Sequence, residues 1–243
     1  MNAPAGLQQL PLAFTLNERL DFNLFVAGDN AAVCGRLQEL AAEGRGQVYL
    51  WGAPGSGRSH LLQATCQLAG QHQLRAAYVP LAQFAAHGPG LLEGLEGLDL
   101  VALDDLQTVA GQDDWEQALF GLYNSLRDAG RAFVAAADSS PRGLALELAD
   151  LRSRLGWGEV FHLQPLADDD KREALVRRAS ARGIELPDEV AVYLLRRTVR
   201  DMAGLMAWLD HLDQAQLAAQ RRLSIPFVKS LLQESAPPGP GAD

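Results

Sequence analysis

The chain of 243 residues carries a formal net charge of −9, and hydrophobic residues make up 48% of it. This hydrophobic content is enough for a globular core, and no apolar run approaches the roughly 18 residues that span a bilayer. We therefore expect a cytoplasmic protein without a membrane partner. The acidic balance argues against direct sequence-specific DNA binding, which needs a basic surface to neutralise phosphates.

Short apolar segments alternate with helical patterns over much of the chain. The apolar segment 48–51 stops at Gly52, and a helical pattern stops at Gly130, a residue that favours helix ends. Strands separated by helices of this length predict a parallel sheet with right-handed crossovers, hence an α/β fold with five parallel strands and flanking helices. The predicted strands are 48–51, 76–79, 98–103, 131–137 and 160–163, and the predicted helices among them are 59–68 and 115–129.

The pattern changes to helix alone after Pro165. An acidic run at 168–170 favours a helix start, Gly183 favours its end, and Pro187 begins another helix. Two further helices are predicted at 201–222 and 225–232. The predicted division is therefore a flexible N-terminal segment at 1–21, an α/β nucleotide-binding domain at 22–164, a small all-helical lid domain at 165–234 and a disordered tail at 235–243.

A glycine-rich loop at 52–59, which we call the phosphate loop, follows a predicted strand and precedes a predicted helix. It matches the pattern G-x-x-x-x-G-K-[ST] except at one position. Its glycines let backbone N–H groups surround phosphates, and Ser59 is expected to hold Mg²⁺. The alternative is a glycine-rich turn that binds no ligand. The nucleotide-binding residues predicted in this segment are Gly52, Pro54, Gly55, Ser56, Gly57, Arg58, Ser59 and His60.

The one departure from the pattern is Arg58, which replaces the lysine that reaches the β- and γ-phosphates. Arginine keeps the charge and can bind phosphate oxygens through two nitrogens, but its planar group is larger. We expect retained nucleotide binding with weak or absent hydrolysis.

Acidic residues follow two of the predicted strands. Asp104 ends an apolar strand, where a carboxylate can hold Mg²⁺, and Asp105 is placed to orient an attacking water. The alternative is that these carboxylates cap a helix or are simply solvated, and this alternative is stronger for Asp105 than for Asp104. Asp138 follows the fourth strand, where it can either sense a γ-phosphate or serve as a turn residue.

Two arginines outside the phosphate loop have expected roles at phosphates. Arg154 lies in a predicted loop before the last strand, where it can enter a neighbour's nucleotide site as a finger that stabilises transition-state charge. The alternative is a surface salt bridge. Arg200, near the start of the long lid helix, is expected to reach back to the bound phosphates.

Taken together, residues 20–233 resemble the AAA+ ATPases, and within them the DnaA group. The resemblance is carried by residues 22–28, by the paired aspartates within 101–107 and by the arginine box at 152–158. It implies an AAA+ P-loop NTPase fold with a helical lid. It also implies that Arg154 is the arginine finger and that Arg200 is the second sensor.

Further segments resemble the regulatory inactivators of DnaA within that group: the residues around Trp51, the run 57–62 and the run 219–229. The sequence also ends where DnaA proteins continue into a DNA-binding domain. Near its start, one peptide resembles the motif Q-L-x-L-x-[LF] that docks on the bacterial sliding clamp. The clamp-binding residues of that peptide are Gln9, Leu10, Leu12 and Phe14.

The resemblance implies a negative regulator of chromosomal replication initiation. It implies ADP (or ATP) with Mg²⁺ as cofactors, and DnaA and the β subunit of the DNA polymerase III sliding clamp as partners. The protein would promote ATP hydrolysis on DnaA in trans and reach the nucleoid through the clamp. Association with further copies of itself stays open.

Two rival functions are weighed against this one. The first is an AAA+ ATPase of the loader or remodelling type, which Arg58 disfavours because such a motor must turn over ATP. The second is a DnaA-like initiation partner acting at the origin, which the net charge of −9 disfavours.

Overall fold

A single sheet of five parallel strands organises the α/β part of the chain. The computed structural model describes residues 20–197, 202–219 and 221–234. The strands follow the spatial order β2-β3-β4-β1-β5, so the first strand lies between the fourth and the fifth. The predicted fold class is confirmed. The strands are β1 (Gly46–Trp51), β2 (Ala76–Pro80), β3 (Leu100–Asp104), β4 (Ala132–Ala137) and β5 (Glu159–His162).

Helices cover both faces of the sheet. On one face, α1 and α2 bury leucines such as Leu37 and Leu61 against β1, β3 and β4. On the other face, α4 and α5 bury Trp115 and Leu151. The helices of this part are α1 (Ala31–Glu43), α2 (Arg58–Gln71), the short α3 (Leu81–Phe84), α4 (Asp113–Asp128) and α5 (Ala149–Leu155).

Three helices differ from the sequence prediction, namely α1, the short α3 and α5, and α3 was not predicted at all. No helix was predicted at α1, although Val33, Leu37 and Leu40 repeat at helical spacing and are all buried. The segment 152–154 was predicted as a loop, and this was wrong because it forms the last turns of α5. Leu151 and Leu155, one helical turn apart, are both buried against the core, and their burial favours helix here.

The chain continues after the sheet as helices with a core of their own. They are α6 (Asp168–Ala181), α7 (Asp188–Arg197), α8 (Met202–Ala219) and α9 (Ile225–Glu234). Leu175, Leu194 and Leu209 are fully buried in this second core. The domain boundary near residue 165 stays a prediction. Within the described residues, every helix is too short or too polar to cross a bilayer.

The start of α1 is tied to the segment that leads from the sheet to α6. Asn30 donates from Nδ2 to the carbonyl oxygen of Gln164 at 3.0 Å, and Gln164 donates its backbone N–H to Asn30 Oδ1 at 2.8 Å. Asn30 is buried, so each bond replaces water that the amide has lost. This pair fixes the start of α1 to the segment that leads into α6.

A buried carboxylate fixes the start of α5. Glu116 in α4 is 1% exposed and accepts three backbone N–H groups. Gly111 and Glu147 donate to Oε1 at 2.7 and 3.1 Å, and Leu148, the residue that caps α5, donates to Oε2 at 2.6 Å. Charge-assisted bonds of this kind are among the stronger ones in proteins. The position of α5 therefore depends on a side chain 32 residues away from its cap.

We predict that Glu116→Gln lowers the free energy of unfolding by about 2–3 kcal/mol, because its amide NH₂ faces a backbone donor that then has no acceptor. Urea denaturation measures this loss. Glu147→Gln is the matched control, since that side chain is exposed and should change stability little. Equal effects of the two substitutions would contradict the capping role.

Candidate functional site

The predicted phosphate loop and acidic residues meet at one edge of the sheet. The strands are parallel, so their carboxyl ends share an edge, and β1, β3 and β4 end there in register. The phosphate loop follows β1, Asp104 and Asp105 end β3, and Asp138 follows β4. Residues from three distant segments are thereby brought together.

The phosphate loop has the backbone that its sequence predicts. Gly55 and Gly57 have φ angles of 78° and 95°, in the left-handed region that glycine adopts readily. A Cβ at Gly57 would also lie 2.7 Å from Cε2 of Phe25, so a larger residue would displace that ring. Helix α2 begins at Arg58, and its N-terminal end faces the loop, as an anion-binding site requires.

A cavity of about 290 Å³ opens beside the phosphate loop. Three parts of the chain enclose it: the segment 24–26, the phosphate loop with the start of α2, and the helices α6 and α8 with the segment before α6. Its lining residues are Leu24, Phe25, Val26, the run 55–60, Leu166, Ala174, Arg178, Met202, Ala203 and Met206. Among the predicted binding residues that the structure describes, Gly52, Pro54 and Asp138 do not line this cavity, and Pro54 instead lines a neighbouring one of about 250 Å³.

Two buried polar atoms of the loop fit a phosphate ligand. Arg58 is 9% exposed, and its Nη2 donates to Asp105 Oδ1 at a long 3.4 Å. Arg58 Nη1 and Ser56 Oγ are buried and have no hydrogen-bond partner among the residues that the structure describes. Buried donors are normally satisfied, so these two atoms lack acceptors that phosphate oxygens would supply. The loop therefore fits a nucleotide phosphate, with Arg58 in the position of the usual lysine.

The pair predicted to hold Mg²⁺ is also assembled. Ser59 lies close enough to the carboxylate of Asp104, which is fully buried at the end of β3, for its hydroxyl to lower the pKa of that carboxyl. Tyr78, which the sequence analysis did not select, donates its hydroxyl to Asp104 Oδ2 at 2.9 Å. Burial raises the pKa of Asp104, and the Ser59 hydroxyl and the Tyr78 hydrogen bond oppose that rise. A hydroxyl beside a carboxylate is an oxygen donor set that Mg²⁺ accepts.

The remaining acidic residues are joined by a side chain that sequence reasoning missed. Gln107 donates from Nε2 to Asp105 Oδ1 at 2.9 Å, and its Oε1 accepts the backbone N–H of Asp138 at 3.2 Å. Asp105 itself is left-handed, with φ 57°, a conformation that aspartate tolerates better than most residues. The ends of β3 and β4 are thus connected, and the Asp105 carboxylate is held by both Gln107 and Arg58.

His60 connects the first turn of α2 to two other segments. Its Nε2 lies 2.8 Å from the carbonyl oxygen of Asp21, and its Nδ1 lies 3.3 Å from Nη2 of Arg178 in α6. Burial lowers the pKa of His60 to about 4, so the ring is neutral near pH 7. Arginine only donates, so Nδ1 accepts and Nε2–H donates to Asp21. Sequence reasoning missed Arg178, because nothing in its helix pattern marks this long-range contact.

Arg154 lies at the opposite edge of the sheet from the phosphate loop. It is in the last turn of α5, immediately before β5, and lines a small cavity with Gln47 and Val48 at the start of β1. Four residues of strand, about 13 Å, separate Val48 from Gly52. Within the described part of the chain, Arg154 has no carboxylate within salt-bridge distance, and its buried Nε has no partner. The alternative of a surface salt bridge is not what the structure shows.

Some of the predicted site residues lie outside the part of the chain that the structure describes. They are Gln9, Leu10, Leu12 and Phe14 of the clamp-binding peptide, and Arg200 of the lid.

Two family models match the chain. The model of the bacterial DnaA ATPase domain matches residues 16–162, which include the sheet, the phosphate loop and α5. The model of the Hda lid domain matches residues 168–232, which correspond to the four helices of the second core.

Solved structures share the fold. The crystal structure of domain III of the replication initiation protein DnaA from Thermotoga maritima matches with a TM-score of 0.79 and 23% identity, over 90% of this chain and 98% of that one. AMPPCP-bound DnaA from Aquifex aeolicus matches with a TM-score of 0.65 and 23% identity, over 85% and 71% of the two chains. The Thermotoga maritima RuvB Holliday junction branch migration motor matches with a TM-score of 0.67 and 17% identity, over 88% of this chain and 71% of that one.

We predict that Arg58→Met lowers the affinity for ADP by about ten- to hundredfold, the worth of one charge-assisted hydrogen bond in a buried site. Isothermal titration with ADP and Mg²⁺ measures it. Arg142→Met, at an exposed arginine away from the loop, is the control and should bind as the parent does. Unchanged affinity of Arg58→Met would show that the guanidinium does not face the phosphates.

Proposed function

We propose a regulatory function for this chain, since it belongs to the family of the bacterial DnaA ATPase domain and its helical region matches the lid domain of Hda. In this proposal it is a negative regulator of replication initiation. It holds ADP, associates with the sliding clamp and promotes ATP hydrolysis on DnaA. The catalytic contribution is one arginine, Arg154, supplied in trans.

The observation that carries the proposal is the placement of Arg154. It lines a small cavity with Val48 at the start of β1, and about 13 Å of that strand separates Val48 from the phosphate loop of the same chain. Among the described residues, no carboxylate forms an ion pair with it. A cation in this position is available to a nucleotide bound by another molecule. Arginine fingers act in this way, by stabilising the charge on the transferring phosphoryl group.

The nucleotide would be held and not consumed. Backbone N–H groups of the phosphate loop and the guanidinium of Arg58 would bind the phosphates, and Ser59 and Asp104 would hold Mg²⁺. Asp138 and Arg200 would complete the surroundings of the terminal phosphate. The unpartnered Arg58 Nη1 supports a phosphate ligand, and the Aquifex aeolicus relative is bound to AMPPCP. Replacement of the usual lysine by Arg58 supports weak hydrolysis, because the planar guanidinium also donates to Asp105 Oδ1 and is shared between that carboxylate and the phosphates.

Association with the clamp would localise this activity to replicating DNA. The proposal places the contact in the peptide that contains Gln9, Leu10, Leu12 and Phe14. Three of these residues are apolar and precede the strands of the α/β core. Pro11 presets an extended backbone, so less entropy is lost on binding.

We predict that Arg154→Ala abolishes stimulation of DnaA. Clamp loaded on DNA, the chain and ATP-bound DnaA are mixed, and conversion of bound ATP to ADP is followed. A finger supplied in trans is worth about 10³-fold or more, so the variant should return to the rate of DnaA alone. ADP affinity should not change, and the melting temperature should change little, because among the described residues the guanidinium stacks on an exposed ring and forms no ion pair.

The matched control is Arg142→Ala, which removes an exposed arginine outside α5 and should stimulate fully. An unchanged stimulated rate with Arg154→Ala would contradict the finger role. Rapid ATP turnover by the chain without DnaA would instead favour a loader or remodelling ATPase.

We predict that Gln9→Ala with Leu12→Ala and Phe14→Ala abolishes clamp binding, measured by surface plasmon resonance with immobilised clamp. The melting temperature should change little if the peptide serves docking alone. Asn2→Ala is the control within the same segment. Full clamp affinity of the triple variant would refute the docking role, and a large loss of stability would assign these side chains to the fold.

A further inference from the structure

We infer that Trp157 is a positioning residue for Arg154: its indole ring orders the guanidinium so that the arginine meets a second nucleotide site in one orientation. This inference rests on the proposed function and deepens it. The guanidinium carbon of Arg154 lies 3.9 Å from the centroid of the Trp157 ring, a close cation–π contact.

The end of α5 produces this contact. The helix stops at Leu155, and the backbone N–H of Trp157 donates to the carbonyl oxygen of Arg154 at 3.1 Å. This tight turn brings residue 157 back beside residue 154. Because Glu116 fixes the start of the same helix, both ends of α5 are held, and the arginine is presented from a rigid base.

The exposure of Trp157 is the observation that most needs a reason. Its surface is 63% exposed, whereas Trp115 is 1% exposed in the core. Burial of a tryptophan contributes much to stability, and an exposed one loses most of that gain. Its ring faces the one residue to which the proposed function gives a catalytic role.

A second arginine near the ring does not replace Arg154. The guanidinium carbon of Arg127 lies 6.0 Å from the ring centroid, but Arg127 donates to the carboxylate of Asp128 at 2.7 and 3.0 Å. Its charge is therefore already paired. Arg154 is closer and has no such pair among the described residues, so the indole is its principal partner.

Stacking suits a finger because it leaves the donors unused. The indole contacts the flat face of the guanidinium, while the N–H bonds point outward along its edge. Nε of Arg154 is buried, so the two Nη groups are the part of this edge that phosphate oxygens would contact. An arginine side chain without such a contact samples many rotamers and must lose that freedom when it binds. The ring reduces this loss before the partner arrives, and the gain appears in the rate of the bound complex.

The test compares Trp157→Leu, which keeps apolar bulk without a π face, with Trp157→Phe, which keeps a smaller ring. Stimulated hydrolysis is measured over a range of chain concentrations. We expect Trp157→Leu to lower the saturated rate about five- to thirtyfold, the range of a cation–π contact in a desolvated interface. The half-saturating concentration should stay near that of the parent, and Trp157→Phe should recover part of the rate.

A loss confined to the half-saturating concentration would overturn the inference and make Trp157 a docking contact. Melting temperatures of both variants should match the parent, since the side chain is mostly exposed. If Trp157→Leu loses stability, the comparison rests on Trp157→Phe. A ring with a purely structural role would recover stability and the full rate together, whereas a positioning ring would recover stability with only part of the rate.

A second measurement is independent of hydrolysis. In the isolated chain, the Nε–H proton of Arg154, assigned by its absence from Arg154→Lys, should be shifted upfield by the indole ring current. The shift should vanish in Trp157→Leu and persist in part in Trp157→Phe. An unshifted proton in the parent would overturn the inference whatever the assay gives. A shifted proton in a chain that fails to stimulate DnaA would refute the proposed function, and with it the catalytic purpose of the stack.

Discussion

The common direction of the five strands is the constraint on which the rest of this structure depends. Carboxyl ends of parallel strands share one edge, so the phosphate loop, Asp104 and Asp138 meet although the chain separates them widely. The same constraint sends Arg154, which precedes β5, to the opposite edge. One domain therefore carries the phosphate loop at one edge of the sheet and the cation of Arg154 at the other.

The pairing of Arg58 with Asp105 links the departure in the phosphate loop to the chemistry of the site. A carboxylate that orients water must be free to accept a hydrogen bond from it. Here the carboxylate of Asp105 already accepts from Arg58 and Gln107. Both hydrogen bonds fall on Oδ1, so the arginine of the phosphate loop shares one oxygen of Asp105 with Gln107. The departure from lysine thereby ties the loop directly to the residue that follows β3.

Local signals in the sequence predict much of this protein, and long-range contacts account for what they miss. Strand, glycine loop and helix follow one another in the chain, so their order predicts the phosphate loop and the α/β fold. Glu116, Gln107 and Arg178 act on partners that lie 32, 31 and 118 residues away. A glutamate in a first helical turn or an arginine in a polar helix looks like any surface residue until those partners are known.

The contacts of His60 are long-range contacts of this kind, and they bear on how fast a ligand leaves the cavity as well as on how tightly it binds. Its two ring nitrogens join Asp21 to Arg178 of α6, and both His60 and Arg178 line the cavity. Any motion that separates α6 from Asp21 must break one of these two contacts. If a ligand in the cavity can leave only when α6 moves, its rate of departure is set by how often these bonds break.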